Sequence, residues 1–194
     1  MKRGLVVSLL IAAAVVTGFS QVRPRPRSTP SPLARATPTP RPTPIPEGWV
    51  SFNSELGRFS VLMPETPKDE TEIVPTDSSP YTTHRYAATG TQSVFLIGWA
   101  DYDPTFNFSS SWELELNRES FIKGINATLV ESRKVTLDGY QAVEFTAQTA
   151  ARVYKSRVYI VGRRPYLVVA GTNKGVDDSV NVNRFLNSFK VRLP

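Results

Sequence analysis

The chain has 194 residues, no cysteine and one histidine. Those two counts exclude disulfides, thiolate zinc sites, cysteine nucleophiles and multi-histidine metal clusters. The net charge of +6 is not a nucleic-acid signature: seven of the 23 basic residues precede Gly48 against one acid, Glu47, and the remainder is neutral, with 16 of each sign.

Met1-Lys2-Arg3 is a short basic start, and Leu5 to Val16 is apolar except for Ser8. Small residues at Gly18 and Ser20 follow. The pattern predicts a secretory signal peptide over 1–20, cleaved before Gln21. The apolar run is short of the roughly 20 residues that a membrane span requires. The alternative is an uncleaved anchor, the one case in which the chain meets a membrane. In both cases the remainder is exported to a periplasmic, secreted or cell-surface location.

Residues 21–47 form a Pro/Arg-rich linker that holds nine of the 16 prolines. Proline lacks the N–H donor and fixes φ, so TPTPRPTPIP supports neither helix nor ladder. The expectation is a disordered, extended tether of polyproline II character.

Residues 48–194 have the length of one domain with one core. Trp49 to Asn53 and Arg58 to Met63 are predicted strands. Pro64 to Pro80 is polar and reads as a loop, although long for a structureless one. Tyr81 to Ala88 and Ser93 to Asp101 form a hairpin about Thr89-Gly90-Thr91. A helix is predicted from Ser110, with Ser110 and Glu113 as a capping box, Glu113 mostly solvated and Gly124 at its end. Leu129 to Leu137 and Tyr140 to Ala147 are strands joined by Asp138-Gly139, a strong turn pair. Arg152 to Gly171, rich in Val, Ile and Tyr about Gly162-Arg163-Arg164-Pro165, reads as a hairpin in the middle of the sheet. Val182, Phe185, Leu186 and Phe189 share one face of a last helix over about Asp178 to Lys190. Tight turns make neighbouring strands antiparallel. The fold class is therefore α+β, an antiparallel sheet of about six to eight strands with helices packed on it.

The phrases SFNSELGRFSVLMPETP, LDGYQAVEF, RVYIVGRRPYLVVAG and RFLNSFK, in that order around a helix, resemble the PsbP-like fold. That family includes the extrinsic PsbP proteins of photosystem II, the Ran-binding Mog proteins and many exported bacterial proteins. The resemblance covers Trp49 to Leu193. It implies an α/β/α sandwich with a binding or assembly role, and it transfers no functional residue.

The residues themselves offer no catalytic constellation. His84 is the one histidine available to a Ser-His-Asp arrangement, and no Gly-x-Ser-x-Gly elbow occurs. It reads as a strand histidine on a polar face. Ser120 to Lys123 matches Ser-x-x-Lys without its companion motifs. Asp101-Tyr102-Asp103 lacks the further oxygen ligands of a calcium loop and reads as loop-capping. No cofactor or metal is expected. What remains is a basic hairpin, in which Lys155 and Arg157 share a strand face and Arg163 and Arg164 occupy the turn. These four are the candidate partner-binding residues, fitted to an acidic protein or an envelope polymer rather than nucleic acid. The functional expectation is a non-catalytic binding or assembly module of the cell envelope. A hydrolase using His84 or a carboxylate pair, and a purely structural domain, are the alternatives.

Overall fold

The computed structural model describes residues 44–74 and 81–192. The signal-peptide reading and nearly all of the linker lie outside them.

Among the described residues, ten strands and two helices follow one another. The first two strands are β1 (Val50–Ser54) and β2 (Phe59–Met63). Next come β3 (Lys68–Val74), β4 (Tyr81–Thr89), β5 (Ser93–Tyr102) and α1 (Ser110–Gly124). Then β6 (Thr128–Leu137), β7 (Tyr140–Gln148), β8 (Arg152–Val161) and β9 (Arg164–Asn173) run as a meander. The chain closes with α2 (Ser179–Ser188) and β10 (Lys190–Val191). Seven strands form one antiparallel sheet in the order β3-β4-β5-β9-β8-β7-β6, and β1-β2-β10 form a second, three-stranded sheet.

The α+β expectation holds, and the Val/Ile/Tyr hairpin lies at the centre, β9 being the fourth strand of seven. Alternation then assigns each side chain to a face. On one face Phe95, Ile97, Tyr166 and Val168 join Tyr159 in the main core. The small sheet and α2 cover it, and Phe59 touches Trp99, Tyr166 and Phe189 at ring-centroid distances of 5.4–6.4 Å. On the other face Val143, Phe145, Ala147, Val158 and Ile160 pack against Leu114 of α1. Full burial of side chains this size contributes roughly 1.5–3 kcal/mol each.

Four local expectations are corrected. Pro64 to Pro80 is not one loop, because Lys68–Val74 pairs with β4 along its whole length. As an edge strand it needs no apolar face, so its polar sequence hid it. The capping box does not form: the N-cap is Ser109, with no side-chain cap bond. Glu113 is 1% exposed rather than solvated. It accepts hydrogen bonds from the Tyr102 hydroxyl at 2.8 Å and from Asn117 at 3.2 Å, which compensate its burial. Burial and that bond to Glu113 push the Tyr102 phenol well above its usual range. The last helix stops at Ser188, where Phe189 turns extended at ψ 123° and leads into β10 beside β2.

Candidate functional site

The covering layers are offset. On one face α2 and the small sheet lie over the middle of the large sheet, packing on β8, β9 and, through Phe59, on Trp99 of β5. On the other face α1 packs on β7, β8 and β9. Among the described residues, the β6-β7 end about Glu131 and Arg133 stays open on the α2 face, although Val135 and Leu137 of β6 pack on the main core, and the β4-β5 end stays open on the α1 face; each open end holds a groove.

The groove on the α2 face encloses about 410 Å³. Cross-strand register builds it, since Arg133, Glu144 and Arg157 stand opposite one another on β6, β7 and β8. In the next row Glu131 and Lys155 flank Thr146. Arg157 Nε donates to Glu144 at 2.8 Å, and its other nitrogens donate to the Leu186 carbonyl at 2.7 Å and to Asn187 at 2.9 Å. Arg133 Nε binds the second Glu144 oxygen at 3.0 Å. Burial alone would raise the Glu144 carboxyl, but the hydrogen bonds and charges of Arg133 and Arg157 outweigh it and hold the group below the usual carboxylate range. Arg157 thus fastens α2 to the sheet, whereas Lys155 is exposed and the Arg133 side chain is 75% exposed.

The four basic residues named from sequence do not form one patch. Arg163 donates to the carbonyls of Asp103 and Phe106, at 3.3 and 2.7 Å, and lies over the Phe108 ring. It clasps the β5–α1 connection. Arg164 pairs with Asp101, Nε to Oδ1 at 2.7 Å, and donates to the Leu56 carbonyl at 3.0 Å. A turn arginine that spans to another strand is fixed by its partners, and sequence proximity conceals this.

His84 is 7% exposed, not solvated on a polar face. Its ring stacks on Trp99 with centroids 4.6 Å apart. Nδ1 lies 3.3 Å from the Thr71 hydroxyl and Nε2 lies 3.4 Å from Asp101. Asp101 also pairs with Arg164. The string Thr71–His84–Asp101–Arg164 links β3, β4, β5 and β9 as a polar seam beside the small sheet. Asp103, by contrast, caps its loop by accepting from the Thr105 amide and hydroxyl, and those bonds hold its carboxyl below the usual range.

The second groove, on the α1 face, encloses about 630 Å³. Leu96, Gly98 and Ala100 of β5 form its floor with Leu167 of β9, and Phe121 of α1 and Ile125, the residue that caps its C-terminus, form its wall. Sequence reading missed it. The available signal was β5 itself, apolar on both faces although one helix cannot cover all of the second face.

No family model matches the chain, and no curated protein matches it. Among solved structures, the solution structure of cyanobacterial PsbP (CyanoP) from Synechocystis is similar to it, with 12% sequence identity, 74% of this chain and 92% of that chain covered, and a TM-score of 0.48.

Proposed function

We propose that the chain is a non-catalytic binding or assembly module, exported to the cell envelope, that engages an acidic protein or envelope polymer. The PsbP-like and Mog-like assignment belongs to this reading and is supported by the order of hydrophobic phrases in the sequence. Export is supported by the signal-like residues 1–20, and reach by the proline-rich tract. Among the described residues no helix is long and apolar enough to cross a membrane.

One observation carries the choice of surface: Lys155 and Arg133 stand exposed at the open groove on the α2 face, Arg133 sharing Glu144 with Arg157, whereas Arg157 and Arg164 are part-buried and Arg163, though exposed, is tied to the β5–α1 connection. Reversing Arg163 or Arg164 would therefore unfasten the domain rather than test binding. The informative variant is Arg133→Glu with Lys155→Glu in the full chain. Exposed charge contacts are screened within about 10 Å at 0.1 M salt. Recovery of an acidic partner from envelope extract should fall with rising salt for the wild type and fall sharply for the variant at low salt. Equal recovery, with circular dichroism unchanged, removes this surface.

A further inference from the structure

We propose that the groove on the α1 face is a binding site for an aliphatic chain, such as the acyl group of a lipid or fatty acid. The inference deepens the binding-module reading and rests on it.

The lining comes first. Leu96, Leu167, Phe121 and Ile125 are each only partly buried, and all four border the same space. Phe121 and Leu167 also pack on the core beneath α1, so the groove opens at the edge of that core; large apolar groups bordering an open volume are the usual lining of a ligand site.

Gly98 is the second observation. It lies in mid-strand, paired in unbroken register with Arg85 on one side and Leu167 on the other, so no bulge calls for it. Its φ is not in the left-handed region, and an added Cβ would meet only the His84 carbonyl, at an ordinary 3.6 Å. Glycine weakens a strand interior, and one in mid-strand often marks a bulge or close approach by a ligand or another backbone. With no bulge and no crowding backbone here, the missing side chain leaves the floor of the groove open.

Size and shape decide the occupant. About 630 Å³ falls within the roughly 300–1,000 Å³ of small-molecule sites. A stable protein interface takes about 800 Å² from each partner, a broad surface that a slot walled by α1 does not present. Leu96 to Ala100 covers about 14 Å of strand at roughly 3.4 Å per residue, a run suited to an extended chain. The lining is hydrocarbon along Leu96, Ala100, Leu167, Phe121 and Ile125, and Thr71, Thr83, His84, Arg85 and Asn117 make a polar border that suits the headgroup end of such a chain.

The test uses the full chain and the fluorescent fatty acid cis-parinaric acid. Wild type should bind it saturably, with one site per chain. Gly98→Leu fills the slot from the floor, and Gly124→Leu adds bulk at the helix side, where a Cβ meets nothing within 4 Å. Each should weaken binding roughly tenfold or more, since several buried methylene contacts are lost, with the thermal midpoint not lowered. Competition by free oleate and by vesicles of phosphatidylethanolamine and phosphatidylglycerol tells a soluble fatty acid from a bilayer lipid as the source of the chain. Absence of saturable binding by wild type, or equal binding by both folded variants, overturns the proposal. The envelope pull-down with Arg133→Glu and Lys155→Glu reads the opposite face, so it can still succeed where this site fails.

Discussion

Glu144 shows how one side chain decides what its neighbours are free to do. It holds both Arg133 and Arg157, and Arg157 in turn reaches two groups at the end of α2. Side-chain exposures of 19% for Glu144 and 16% for Arg157 place that pair out of full solvent screening. Since the folded carboxyl titrates below its usual range, its contribution is complete above the unfolded pKa, about 4.3, and disappears as pH falls through the lower folded value. Glu144→Gln should cost about 1–2 kcal/mol at pH 7. The gap between variant and wild type should close once the wild-type carboxyl is protonated. Urea unfolding at neutral pH and at successively lower pH measures this, and a gap that stays constant would show that Glu144 acts through shape rather than charge.

Among the elements, the β6–β7 hairpin has the most local cause. Asp138 and Gly139 occupy φ 51° and 83°, the positive pair that a type I′ turn requires. An added Cβ at Gly139 would touch nothing within 4 Å, so the effect of Gly139→Val is backbone strain alone. That strain is on the order of 1–3 kcal/mol, readable as a lowered thermal midpoint; an unchanged midpoint would mean that the turn relaxes freely. Such hairpins, and the i, i+3, i+4 face of α2 at Val182, Phe185 and Leu186, were legible because their causes lie within a few residues. The strand β3 was not, because an acidic edge strand has no apolar stripe, and β10 is two residues long. The candidate site divides the same way. That Lys155 and Arg157 share a face follows from alternation, but Glu144 is 13 residues from Arg157 in sequence and Asp101 is 63 from Arg164. The apolar groove was hidden because apolar residues on both faces of β5 show that it is covered without showing by what.

At the scale of the molecule, Phe189 joins the parts. It is 2% exposed and meets Phe59 of the small sheet, Tyr159 of β8 and Tyr166 of β9 within 5.2–5.7 Å. Phe189→Ala should destabilise the domain by about 3–5 kcal/mol, measured by urea denaturation; a cost below 1 kcal/mol would mean that the small sheet does not depend on this ring. Its position in the chain also sets a timetable. The strands β3-β4-β5 and β6-β7-β8-β9 join sequential neighbours and can zip as soon as they exist. The β5–β9 joint and the β2–β10 joint cannot: Phe59 meets Val191 only once the strands between them have been made. Loop closure over such distances is slow, because entropy is lost before contacts compensate it. The domain therefore completes itself only after β10 has been made, and until then β2 waits as an unfinished edge.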